Sequence, residues 1–482
     1  MFKEYQKYDA VGLAELVARR EVSASELLDT AMARAEEVNP AINAIVRPLE
    51  KEARNAIDAG LPSGPLSGVP FLLKDISAHM KGVPTSSGAR ILANFTPDAD
   101  SALVTAYRNA GLVIFGKTNT PELGLAATTE PVLFGPSRNP WNLERTTGGS
   151  SGGAAAAVAA GIVPAAHASD GGGSIRTPAS CCGLFGMKPS RGRVSLAPFA
   201  GEGWGGLSQQ HAVTRSVRDS AVLLDIASQP QLGDPYWAPP PERPFAQEVG
   251  RDPGKLRIGF TTAALTWGTL QAPCVAGVRN TAALCESLGH HVEEVIFPGN
   301  FQMMAAAVNV VVSASVAYTL DNEADRRGSP IRPEEVETLT WSIYQESKRG
   351  TAVAYATALQ TIHAFGRTLS SLFSRFDVLL LSTNGKPPVA LGSMNTNAAD
   401  LTDYGEKLYT FMPNTQPFNV GGQPAMTMPL AWSDEGLPVG VQFAARNGDE
   451  ATLFRLAAQI EAAAPWADRR PPEEPLKSRP GR

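Results

Sequence analysis

The chain has 482 residues, 43% of them apolar, with 42 basic against 47 acidic side chains and a net charge of −5. That composition supplies a large core and excludes the basic stripe of a nucleic-acid-binding surface. The four cysteines, Cys181, Cys182, Cys274 and Cys285, make no pattern with histidine that suggests zinc, so they are expected as small, reduced core residues of a cytoplasmic protein.

Residues 9–56 read as mostly helical, with a break near Pro40. The capping box Ser23-Ala24-Ser25-Glu26 leads into Leu27, Leu28, Ala31 and Ala35 at helical spacing. The N-terminus lacks the apolar segment of a secretory signal. The apolar runs Ala154–Ala166 and Ala305–Ala317 are too short or too broken to span a membrane. The run Val69–Leu73 delivers Lys74 and Asp75 at its end. Residues 101–110 resemble a helix, Leu112–Phe115 a buried strand, and Gly152–Gly161 an Ala-rich helix in close contact with its neighbours. Ser216–Ser228 is again helical, and the Pro-rich stretch 234–254 reads as a surface excursion or linker. Beyond it come a strand at Leu256–Phe260, a helix at Val275–Leu288, a strand at His291–Val295 and a mostly helical region over 302–375. Asp377–Leu381 and Gln423–Leu430 are further strand candidates, and 450–463 is a helix. Alternating helices and short apolar strands imply an α/β protein with a central, mostly parallel or mixed sheet. Length alone allows two to four domains. With no sharp break in composition, one domain over 1–466 is expected, followed by a flexible tail at 467–482.

Three constellations compete for the chemistry. Gly111–Thr118 matches the phosphate-loop pattern of nucleotide-binding proteins literally, but its middle residues Leu112–Phe115 belong inside a sheet, and Pro121 follows too soon for the long helix that loop requires. Gly149-Ser150-Ser151-Gly152-Gly153 matches the G-x-S-x-G elbow with Ser151 as nucleophile, yet no buried strand precedes it, and His167, His211, His290, His291 and His363 lack a distinctive setting. The third uses Ser174, at the end of a glycine run, with Ser150 as relay and Lys74 as base. Serine needs a base to attack a carbonyl, and lysine serves only when neutral. Lys74 ends an apolar run, where burial would lower its pKa by as much as ~3–5 units.

The stretches Gly68–Asp75, Gly148–Gly153 and Asp170–Ala179, with Gly116-Lys117-Thr118-Asn119 and Gly186–Ser190, resemble the amidase signature family in order and spacing. The resemblance covers most of the chain, with the signature core at about 64–230. It implies the amidase signature fold, a central mixed sheet with helices on both faces. It also implies a Ser–cis-Ser–Lys triad: Ser174 attacks, Ser150 follows a cis peptide and shuttles the proton, and Lys74 receives it. The N–H groups of Gly171, Gly172, Gly173 and Ser174 would form the oxyanion hole, with Asp170 and Arg176 as scaffold. No metal or cofactor is implied. One departure stands out: the family usually has Thr-Asp-Thr-Gly-Gly-Ser where this chain has Ser169-Asp170-Gly171-Gly172-Gly173-Ser174, which should loosen the loop or widen the site.

Within the family, Thr128–Pro131, Arg138–Asn142 and Pro465–Pro471 give the look of 6-aminohexanoate-cyclic-dimer hydrolases and related urethanases. Small amides or carbamates are the expected substrates, handled by a monomer or homodimer without nucleic acid or membrane. Leu125 stands where such hydrolases are expected to carry a polar residue. The long loop expected at Asn384–Phe418 offers Tyr404, Phe411 and Phe418, with Met394 and Met412, as candidates for an apolar substrate pocket or for simple packing. The alternative from the same family is the glutaminase subunit of a tRNA-dependent amidotransferase.

Overall fold

A computed structural model describes residues 2–477. Eleven strands form one mixed sheet. From edge to edge they are Ile45–Pro48, Val113–Thr118, Pro70–Lys74, Ala165–Asp170, Gln209–Thr214, Phe185–Lys188, Ala425–Trp432, Pro438–Ala445, Val378–Ser382, Arg257–Phe260 and His291–Glu294. The expected central mixed sheet flanked by helices is the one observed.

Register explains where the chemistry gathers. Pro70–Lys74 runs parallel to both Val113–Thr118 and Ala165–Asp170, pairing Lys74 with Thr118 and Leu72 with Ala166. Three parallel neighbours therefore bring their carboxyl ends to one edge of the sheet, the usual place for a ligand in such sheets. All three strands are buried throughout, which is why Pro70–Lys74 and Val113–Thr118 open on apolar runs rather than alternating patterns. The helix Gly152–Ala159 is buried along its whole length. Its alanines and paired glycines let it lie close to the sheet; a Cβ at Gly153 would meet the backbone nitrogen of Asn119 at 2.4 Å.

Several expectations need correction. Pro40 does not break its helix: Ala24–Ile42 runs through it and ends at Asn43 in the left-handed conformation, with the Ser23–Glu26 capping box in place. The strand Ile45–Pro48 inside the supposedly helical N-terminal region has only four residues, too few to show a period. The segment Asn384–Phe418 is not one long loop, since Tyr404–Phe411 is helical and a second helix starts at Gln416. Phe301–Arg327 is one 27-residue helix, long and apolar enough by composition to cross a membrane. It packs instead as a core helix, with Met304, Val308, Val311 and Leu320 buried and the helices Thr338–Ser347 and Ala352–Ser370 beside it.

The tail is docked where loose chain was expected from residue 467. Glu473–Lys477 is helical, Leu476 is buried in the main core cluster, and Glu473 pairs with Arg34 at 2.8 Å. Residues 478–482 lie outside the described residues. Truncating a buried leucine removes transfer free energy and leaves a cavity, so Leu476→Ala is expected to cost about 2 kcal/mol. Urea unfolding checks this; an unchanged midpoint would mean the tail is not anchored.

Candidate active site

Lys74 is fully buried at the end of its strand. Its Nζ lies 2.7 Å from Ser150 Oγ and 2.9 Å from Ser169 Oγ. No carboxylate forms a salt bridge with it among the described residues. Burial is the dominant influence and lowers its pKa, the Asp170 carboxylate opposes, and the result is about 7. Two other lysines are equally inaccessible, but differently occupied. Lys117 Nζ is 3.4 Å from Asp75 Oδ1 and donates to Thr85, while Lys188 donates to the carbonyl of Pro189. Of the three, only Lys74 meets a serine beside a cavity.

The Gly149–Ser150 peptide is cis. A Cβ on Gly124, which lines the cavity, would sit 3.3 Å from Ser150 Oγ. Ser174 borders the same cavity and is 9% exposed, so its hydroxyl group belongs to a residue that is reachable but largely desolvated. Its carbonyl accepts from the Ser151 N–H at 3.2 Å, tying the two serine segments together. Ser151 itself is excluded as a nucleophile by its partners: its Oγ donates to the Ser169 carbonyl and accepts from the Ser169 N–H, and the residue is buried. His167 lies beneath Lys74 with both ring nitrogens engaged. Nδ1 accepts from the Lys74 N–H, which leaves Nε2 to donate to Gln210 Oε1. Burial holds its pKa down at about 3.

The glycine loop between these elements is shaped from below. Arg176 and Asp170 are both fully buried and form a two-pronged pair, Nε to Oδ2 and Nη2 to Oδ1, each 2.9 Å. Asp170 Oδ2 also accepts the N–H groups of Ile175 and Arg176. Burial raises the Asp170 pKa, but the Arg176 guanidinium outweighs it and brings the carboxyl to about 2. Asn419 donates to the Asp170 carbonyl and carboxylate, and Arg176 reaches Gln442 and the Thr415 carbonyl. Gly173 has φ +146, and a Cβ there would lie 2.3 Å from Thr415 Oγ1, so the turn admits only glycine. With the carboxylate collecting the amides that follow, the N–H groups of Gly171 to Ser174 donate to no protein acceptor among the described residues. Unpaired amides in a glycine-rich turn form a nest that suits an anion.

The cavity above them holds about 320 Å³ and is mostly apolar. Leu125 and Tyr404 line it, as expected. Phe411 and Phe418 do not: both are core residues, buried in separate hydrophobic clusters, and Met412 faces the cavity in their place. The widening expected at Gly171 is absent, because the indole of Trp204 occupies the space. No three His, Cys, Asp or Glu side chains converge as a metal site among the described residues. Ser169, Trp204 and Asn419 were not foreseen as site residues. Ser169 stands two residues before the glycine run and Trp204 lies between glycines, both readable signs; nothing in the sequence marks Asn419.

Comparison with known proteins gives one picture. The family model described as Amidase matches residues 26–454. The chain is 37% identical over 478 residues to the 6-aminohexanoate-cyclic-dimer hydrolase of Paenarthrobacter ureafaciens, covering 96% of each. The solved structure of a 6-aminohexanoate cyclic dimer hydrolase superposes with a TM-score of 0.93 at 36% identity, over 98% of this chain and 99% of that one. A bacterial aryl acylamidase of the amidase signature enzymes superposes at 0.89 with 26% identity, over 98% and 99%.

Removing one partner of a buried pair strands the other charge, at a cost of about 3–5 kcal/mol. Asp170→Asn is therefore expected to lower the denaturation midpoint sharply, read by urea unfolding. A stability equal to that of the wild type would show that the pair does not hold the loop.

Proposed function

The chain belongs to the amidase signature family and is a hydrolase of amide C–N bonds, and on that premise we propose that it works through an acyl-enzyme on Ser174, Ser150 and Lys74. The observation that carries the reading is Lys74 Nζ, desolvated and 2.7 Å from Ser150 Oγ beside the cavity that Ser174 lines. At neutral pH a lysine with a pKa of about 7 is substantially an amine and can accept a proton.

Ser174 Oγ attacks the carbonyl carbon while its proton passes to Ser150, whose own proton passes to Lys74. The carbonyl oxygen becomes an oxyanion facing the amides of the 171–174 loop, each such donor being worth ~10²–10³ in rate. As the tetrahedral adduct collapses, Lys74 returns its proton through Ser150 to the departing nitrogen. The C–N bond breaks and the acyl group stays on Ser174. Water then attacks the ester by the same relay, releasing the acid and restoring the serine. Ser169, the second hydroxyl on Nζ, holds the amine in line.

The apolar cavity favours small, uncharged amides. We include carbamates, which present the same carbonyl with one added ester oxygen. The four buried, unpaired cysteines suit a reducing compartment such as the cytoplasm.

Release of 4-nitroaniline from an acyl anilide tests the assignment. Ser174→Ala and Lys74→Ala are each expected to lower kcat/KM by about 10⁴-fold or more; a Ser174→Ala enzyme with full activity would end it. The base must be deprotonated, so kcat/KM should fall about tenfold per pH unit below pH about 7 and level off above it. A flat profile through that range would contradict a lysine base.

A further inference from the structure

Gly171, where this chain departs from the family's usual residue, has a physical counterpart. A Cβ placed on Gly171 would lie 2.6 and 2.7 Å from Cε3 and Cζ3 of Trp204, closer than any real contact, so the indole sits against the glycine loop only because residue 171 has no side chain. Trp204 is held there deliberately. It has φ +52, a conformation unusual for a bulky residue, and Gly205 and Gly206 follow at φ +59 and +81. Arg191 Nε and Gln209 Nε2 both donate to the Gly206 carbonyl. The side chain of Asn419 donates to the Leu207 carbonyl at 3.1 Å and to the Asp170 carbonyl at 3.0 Å. One amide thus clamps the tryptophan loop and the glycine loop together.

Trp204 also stands between two cavities. One is the 320 Å³ cavity lined by Ser174, and the other, of about 420 Å³, is lined by Ile76, Phe95 and Val316 together with polar and charged side chains that include Glu323 and Arg326; Trp204 lines both. The two lie along the single helix Phe301–Arg327. Val308 and Val312 face the first, Val316 and Thr319 the second, and Gly205 packs on Val311 between them, where a Cβ would meet Cγ1 at 2.8 Å.

We propose that Trp204, admitted by Gly171, sets the substrate length limit: its indole ends the catalytic cavity and seals it from the second cavity, restricting the enzyme to short, compact amides. This rests on the hydrolase reading above. An apolar group next to the scissile carbonyl packs against the ring, and a chain long enough to pass it is refused. The energetic basis is ordinary: each methylene accepted or refused by an apolar pocket changes kcat/KM by about tenfold or more.

The test measures kcat/KM for two series of amides. One lengthens the acyl chain of 4-nitroanilides from acetyl through butyryl to octanoyl. The other lengthens the amine side of an acetamide. Trp204→Ala is expected to raise the long-to-short ratio by about tenfold or more in at least one series, and Trp204→Phe to fall between it and the wild type. Gly171→Ala, which keeps its N–H but pushes the indole away, should shift the same ratio in the same direction. In the double variant the two effects should not multiply, since the clash requires both partners. An unchanged ratio in both Trp204 variants, or fully multiplying effects of Gly171→Ala and Trp204→Ala, overturns the proposal. Melting temperatures and acetyl anilide turnover identify any variant that fails to fold, and Trp204→Phe then supplies the ratio. Adding Ser174→Ala to each variant separates the two readings: activity surviving it would refute the nucleophile assignment, whereas a wrong length limit shows only in the ratios.

Discussion

The proposed chemistry depends on keeping an amine at Lys74. A lysine at the end of a fully buried strand has two ways to avoid the cost of a bare charge: find a carboxylate or lose its proton. Lys117, on the neighbouring strand, takes the first route with Asp75 at 3.4 Å. Lys74 has no carboxylate partner among the described residues: its side-chain contacts are serine hydroxyls, and burial lowers its pKa to about 7. Its nearest electrostatic opponent is Asp170, which would favour the ammonium. The two-pronged contact from Arg176 holds that carboxylate in place beneath the glycine loop.

Parallel strands make the arrangement possible. Because Pro70–Lys74 and Ala165–Asp170 run in the same direction side by side, Lys74 and the glycine loop emerge at the same end of the sheet. The serine segment 149–151 is then fastened to that edge by backbone contacts, with the buried Ala-rich helix Gly152–Ala159 behind it. The chemistry is held by the sheet, whereas the substrate cavity is bounded by helices and turns from later in the chain.

That division also governs what could be read in advance. The motifs that carry Lys74, Ser150 and Ser174 stood out as short glycine- or apolar-rich stretches, but the roles proposed for the three came from the family resemblance and not from those residues alone. Leu125 and Tyr404 were found at the cavity, but Phe411 and Phe418 were not, since composition cannot say which face of a helix an aromatic takes. The strands Ala165–Asp170, Gln209–Thr214 and Pro438–Ala445 escaped notice because full burial removes the alternation that marks a half-exposed strand. Asn419 and Gln442 reach Asp170 and Arg176 across more than half the chain, a kind of contact that no local pattern encodes. Gly171 was visible as a departure from its relatives, but its cause lay in Trp204, and only the packed structure joins the two.

The most direct measurement is the protonation of Lys74 itself. In protein labelled with carbon-13 at the lysine ε position, the Lys74 signal is identified by its loss in Lys74→Met and followed through a pH titration. A midpoint near pH 7 is expected. A Lys74 that keeps its proton until about pH 10, like an ordinary lysine, would contradict a neutral base and the relay built on it.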